Sequence, residues 1–172
     1  MKLETDIGTI GRLAEKNRDA DWAFRSYLKS CDLSAEEIDA LVHKHYKAVS
    51  EQIACRKCGN CCRVVGPLFK EKDVQRLAAH LKITGEAFIR DYLKPEEDGE
   101  GRPLKSLPCP FLSDNSCVVY EQRPDDCRSY PHLHKKDFVF RLMQAVSNCS
   151  ICPIVYHVYN RLKAEIGPKT RG

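Results

Sequence analysis

The chain has 172 residues, 30% of them charged and 42% apolar, and a formal net charge of +4. A single domain of ordinary size fits that length, and it can bury roughly two thirds of its unfolded surface, so disulfides are not needed to hold a fold. The mild positive charge is spread out without a dense Lys/Arg run, which argues against a nucleic-acid partner.

The opening stretch, M-K-L-E-T-D-I-G-T-I-G-R-L, has charges and no apolar h-region, and no apolar run is long enough to span a bilayer. The expectation is a cytoplasmic protein without membrane contact, whose thiols stay reduced and favour metal over disulfides. Residues 1–54 read as an N-terminal helical segment. Trp22, Phe24, Tyr27 and Leu28 suggest a shorter helix, packed on a second one. That second helix is announced by a capping box at Ser34-Ala35-Glu36-Glu37. Behind the box, Ile38, Leu41, Val42, Tyr46, Val49 and Ile53 recur at helical spacing and read as core.

Residues 55–153 read as a cysteine-cluster metal-binding core. The stretch 55–67 is expected to be a loop, with Gly59 and Asn60 supplying tight backbone turns. A helix is predicted over 71–82, with Val74, Leu77, Ala78 and Leu81 on one face. Thr84 opens another helix, with Ala87, Phe88, Tyr92 and Leu93 inward, and Pro95 stops it. P-E-E-D-G-E-G-R-P is a polar loop. Leu104 to Tyr120 reads as a hairpin turning at Ser113-Asp114-Asn115-Ser116, and Phe138 to Val146 reads as strand or helix, with F-V-F-R-L suggesting a strand first. Residues 154–172 read as a C-terminal helix and tail. Pro153 suits the first turn, Ile154, Val155, Val158, Tyr159, Leu162 and Ile166 form the apolar stripe, and Gly167-Pro168 ends it.

Ten cysteines punctuate this frame, and all but Cys31 lie between 55 and 152. Cys55, Cys58, Cys61 and Cys62 stand in C-R-K-C-G-N-C-C; Cys109, Cys117, Cys127, Cys149 and Cys152 follow. A C-x-x-C turn presents two thiolates to one ion, and reduced thiolates select zinc, iron or iron–sulfur clusters over oxygen-loving cations. The pairs Cys55/Cys58 and Cys149/Cys152 together make a four-thiolate zinc set. The run Cys55, Cys58, Cys61 also has the spacing of cluster-binding runs. Cys62 follows at once, and neighbouring side chains tend to point apart, so Cys61 and Cys62 are expected to serve different metal atoms. Nine thiols exceed one mononuclear ion, so two sites, or one cluster and a structural ion, fit the count. Cys31 lies on the ligand-free segment and should be dispensable.

Other groups carry weaker signals. His132 and His134 follow Cys127 and are candidate ligands, although a histidine in a polar loop is more often solvated. Arg123, Asp125, Asp126 and Arg128 sit beside Cys127 and are candidates for setting charge around a metal, with ordinary surface pairing as the alternative. No phosphate loop, nucleophile elbow or dinucleotide fingerprint occurs.

C-x-x-C-x-x-C-C, then C-P-F-L, then C-x-x-Y-x-x-R-P-x-x-C-R-x-Y-P, resembles the YkgJ-type cysteine-cluster proteins, described as zinc- or iron-chelating domains. Cys55, Cys58, Cys61, Cys62, Cys109, Cys117 and Cys127 fall on that family's motif cysteines, and Cys149 and Cys152 resemble its trailing pair. Tyr120, Arg123, Pro124, Arg128, Tyr130 and Pro131 match its connecting signature. The likeness extends distantly to the cysteine cluster of flagellin lysine N-methylases. It implies metal binding at the nine cysteines and leaves zinc and iron open.

The resulting expectation is a mainly α, small single domain with a short β-hairpin and a cysteine-rich, loop-built metal centre. It is read as a cytoplasmic metal-binding protein holding an iron–sulfur cluster, with zinc or mononuclear iron as the alternative, in a redox or cofactor-dependent role. Two further readings are a cluster-dependent methyltransferase-like enzyme and a structural zinc domain that binds a partner protein.

Overall fold

The first helix starts where an aspartate can cap it. In the structure, a computed structural model describing residues 3–168, the Asp6 carboxylate accepts from the Thr9 backbone N–H at 2.8 Å, and α1 runs Ile7–Leu28. α2 follows over Ala35–Ser50. Its capping box forms as expected: Glu37 N–H donates to Ser34 Oγ at 3.2 Å and Ser34 N–H to the Glu37 carboxylate at 2.8 Å. Then come α3 (Asn60–Val64), β1 (Leu68–Phe69), α4 (Glu71–Leu81), α5 (Gly85–Tyr92), β2 (Arg102–Pro103), β3 (Leu112–Ser113), β4 (Ser116–Cys117), α6 (Asp125–Ser129), α7 (Leu142–Asn148) and α8 (Pro153–Ile166). β1 pairs antiparallel with β2, Leu68 opposite Pro103, and β3 with β4, Leu112 opposite Cys117. The class is mainly α with a small hairpin. No helix among the described residues is long and apolar enough to cross a membrane.

The chain divides by internal packing into Met1–Ala54 with Pro131–Gly172, and Cys55–Tyr130. In the first unit, α8 packs on α2 and α1, and α7 on α1 and α8. The inward faces are Phe24, Ile38, Val42, Val49, Leu142, Val158, Tyr159 and Leu162, all nearly inaccessible. Tyr159 presents its ring edge to Phe24, and its hydroxyl donates to the Asp21 carbonyl at 3.0 Å.

The second unit is built around Phe69, Val74, Leu77, Ala78, Phe88, Leu93, Leu104, Phe111 and Val119. Phe88 is its centre, with Phe111 stacked at 6.0 Å and Tyr92 tilted at 5.0 Å. Cys109 and Cys117 lie against this core. α4 and α5 supply most of it, on the faces that periodicity assigns, and Thr84 caps α5.

Four expectations change. α1 is the longer of the first two helices, not the shorter, and Trp22 on it is exposed. The main partners of α1 are α7 and α8 rather than α2. The stretch 55–67 is not all loop, since it holds a 3-10 turn at Cys55–Lys57 and the five residues of α3. Of strand and helix over Phe138 to Val146, the strand suggested first gives way to the helix: Phe138–Arg141 is a 3-10 turn leading into α7. The Asp39 carboxylate accepts from the Asp137 and Phe138 N–H groups at 2.7 and 2.9 Å and so fixes the start of that turn, where Phe138 is buried and Phe140 exposed.

Candidate metal centre

All ten cysteines carry free thiols. Cys55, Cys58, Cys61, Cys62, Cys109, Cys117 and Cys127 belong to the Cys55–Tyr130 unit, and Cys31, Cys149 and Cys152 to the other.

The first C-x-x-C is a closed turn, with Cys58 N–H donating to the Cys55 carbonyl at 3.0 Å. Gly59 then takes φ +63°, a region that a side chain disfavours. A Cβ there would lie 3.0 Å from Asn115 Cα, so glycine also lets the turn press against the tip of the hairpin. Arg63, on α3, bonds the Asn115 side chain and reaches the Cys58 carbonyl at 3.4 Å. Asp114 and Asn115 make the hairpin tip with positive φ. Cys109 N–H donates to the Cys62 carbonyl at 2.7 Å, which ties C-P-F-L to C-C. Three chain segments carrying six thiols are thereby fastened backbone to backbone or through Arg63.

Cys127 arrives on α6 by another route. The Asp126 carboxylate accepts from Leu68 N–H at 3.1 Å. Asp73, fully buried on α4, accepts from Lys70 N–H at 3.0 Å, from Asp125 N–H at 3.1 Å and from Arg76 at 2.6 Å. Arg76 also donates to the Gln122 and Arg123 carbonyls, at 3.2 and 3.0 Å. This hub escaped the sequence reading. Its signal was available, because Asp73 precedes Leu77 by one helical turn on the inward face.

The thiols bear on one another, and Cys62 is common to most of the interactions. Burial pushes Cys55, Cys109, Cys117 and Cys127 up, Cys109 to about 11, and the Cys62 charge pushes each of them further. Cys61 is also pushed up, first by its hydrogen bond to Cys62 and then by burial. Cys62 is lowered to about 7 by that same hydrogen bond, aided by Arg63 and its own backbone N–H. The backbone N–H groups two residues on, at Phe111 and Val119, act against that rise at Cys109 and Cys117.

Gathered thiols are not a closed cage: among the described residues no group of three or more His, Cys, Asp or Glu is arranged to hold an ion. The chemistry of the donor set nevertheless fits a thiophilic metal, since the groups that meet are sulfurs backed by an apolar core.

Within its own unit, Cys149 is buried, and its thiol donates to the Ala145 carbonyl at 3.4 Å. Burial and the Asp21 charge push it up. Cys152 is buried at the start of α8. His132 is buried rather than solvated, with φ +62°, while His134 is exposed beside the Tyr46 ring. Arg128 spends its donors on the carbonyls of Glu121 and Arg123. Asp125 pairs with Lys72 at 2.5 Å and Arg76 at 3.4 Å.

The family model described as "CxxCxxCC: Putative zinc- or iron-chelating domain" matches residues 54–153. "Uncharacterized protein MJ0661" of Methanocaldococcus jannaschii is 33% identical over 82 residues, which is 45% of this chain and 43% of that protein. The chain thus spans less than half the length of that relative. No solved structure matches the chain.

Proposed function

Because the chain belongs to the CxxCxxCC family of zinc- or iron-chelating domains, we propose that it holds an iron–sulfur cluster through thiolates drawn from Cys55, Cys58, Cys61, Cys62, Cys109, Cys117 and Cys127. The observation that carries this reading is the common influence of Cys62 on Cys55, Cys61, Cys109, Cys117 and Cys127. Cys62 and the five thiols it acts on are six, more than the four that one tetrahedral zinc takes. A cluster spreads its ligands over several irons, which suits the Cys55, Cys58, Cys61 run and gives Cys62 a use. Cys149 and Cys152 are proposed as a second thiolate pair, supported by their C-x-x-C spacing and by lying within the matched segment.

A bound cluster would supply one-electron chemistry. The chain supplies the surroundings. The Phe111 and Val119 backbone N–H groups favour the charged form of Cys109 and Cys117, and the apolar core lies against those two. The thiols must still close around the metal, so binding and the last ordering of the loops are one event.

A structural zinc site is the second reading, favoured by the family description, which names zinc beside iron, and by the C-x-x-C spacing of Cys55 and Cys58. Anaerobic purification followed by metal analysis, sulfide analysis and an absorption spectrum separates the two. Broad visible absorption with iron and acid-labile sulfide is expected. Colourless protein with stoichiometric zinc and no sulfide overturns the cluster and leaves the zinc reading.

A further inference from the structure

Tyr120 follows Cys117 by three residues, and two guanidinium groups rest on its ring. The Arg123 guanidinium carbon lies 3.7 Å from the ring centre and that of Arg56 4.4 Å. Arg123 also donates to the Tyr120 carbonyl at 2.6 Å. Arg56 comes from inside the first C-x-x-C, on the Cys55–Lys57 turn, and this turn packs on β4, the strand that ends in Cys117. The ring that both cations rest on and the carbonyl that Arg123 bonds are both uncharged.

Two like charges brought onto one ring repel each other, so the arrangement calls for a negative neighbour. Stacking occupies the face of a guanidinium and leaves N–H groups at its edge to donate. The segments that hold these cations are the ones that carry Cys55, Cys58 and Cys117. Four thiolates around a divalent ion leave two negative charges over, and charge-assisted hydrogen bonds to sulfur offset them.

We propose that Arg56 and Arg123, held on the Tyr120 ring, are positioning residues that balance the net negative charge a metal group carries when the thiolates hold it. The inference rests on the metal-binding reading above and adds which residues balance the charge. It also reassigns the role that sequence gave jointly to Arg123 and Arg128: Arg56 takes the place of Arg128, whose donors fasten the 121–123 backbone.

The test is titration of the full-length, reduced, metal-free chain with cobalt(II), read by its thiolate charge-transfer absorption. Wild type is compared with R56Q/R123Q, R56K/R123K and Y120L, and with R18Q on exposed α1 as a charge control. The glutamine pair should bind cobalt about tenfold more weakly, with a flatter dependence on salt. Y120L should shift the same way, the lysine pair should recover most of the affinity, and R18Q should match wild type. The thermal midpoint of the metal-free chain should be the same in wild type and both arginine pairs. Wild-type binding with the glutamine pair within twofold overturns the inference and leaves the metal-binding reading standing. Equal weakening in the lysine and glutamine pairs, together with a lowered metal-free midpoint, shows the arginines to be structural and also overturns it. A wild-type chain that develops no thiolate–cobalt band overturns the metal-binding reading, and this inference with it.

Discussion

Cys149 and Cys62 are the same residue in two kinds of construction. In the unit of long helices, Cys149 sits at the end of α7, out of water, with a carbonyl to donate to and a carboxylate nearby, and its proton is held tightly. In the unit of short pieces, Cys62 receives a hydrogen bond from Cys61 and faces Arg63, and its proton is held loosely, near pH 7. Long helices satisfy their own backbone and leave a thiol only packing and burial. At Cys62 the thiolate is favoured by its immediate neighbours Cys61 and Arg63 and by its own N–H, polar and charged groups of the kind that stabilise a thiolate. The contrast concerns surroundings rather than cysteine count.

The largest effect should come from asking which unit's thiols matter to metal. Cys62→Ser should lose essentially all bound metal, while Cys31→Ser, whose thiol donates to the Leu28 carbonyl at 3.7 Å, should keep it all. Metal per chain by elemental analysis is the readout, and equal retention in the two variants would break the comparison. Next in size is the core behind Cys109 and Cys117. Phe88→Ala, at a fully buried ring with aromatic neighbours on several sides, should cost about 3–5 kcal/mol in denaturant unfolding. A cost under about 1 kcal/mol would mean that the short-piece unit is not held by this core.

The helical unit offers smaller tests. Ser34→Ala removes one half of the capping box and should cost about 1 kcal/mol without changing metal content. A change in metal content would show that the two constructions are not independent in function. Smallest is the surface triad of α2 and α8, where Glu165 takes Lys44 at 2.7 Å and His45 at 2.6 Å. The hydrogen bond from Lys44, then that from His45, holds Glu165 below its ordinary value of 4.5. Its folded-state pKa is thus the lower one, so the stabilisation is complete above pH 4.5 and vanishes as pH falls through the folded value. Glu165→Gln should lower the melting temperature slightly at pH 7 and not at pH 2, and high salt should shrink the difference. An equal loss at both pH values would rule out an ionic origin.

Legibility followed the same divide. The capping box at Ser34, the Thr84 start, the α4 stripe and Pro153 at the head of α8 were readable because each is local, a matter of three or four residues and one helical period. Phe138-Val139-Phe140 misled because its alternation is real, with Phe138 in and Phe140 out, but the backbone achieving it is a 3-10 turn held by Asp39. α3 is five residues long, too short to show a period, and β1 finds β2 across more than thirty residues, a pairing no local signal carries. At the centre, the cysteines announced themselves by spacing. The stack of Arg56 and Arg123 on Tyr120 did not, because it depends on the 55–57 turn folding back on β4.

The Asp73–Arg76 hub has a thermodynamic consequence for any metal that Cys127 helps to hold. It fixes residues 122–125 through hydrogen bonds made wholly within the protein. Ordering a backbone costs about 1–2 kcal/mol per residue in lost conformational freedom. For the approach to Cys127, folding has already met that cost. An arriving ion does not have to recruit this ligand from a disordered tether, and correspondingly more of its intrinsic attraction to sulfur survives as affinity.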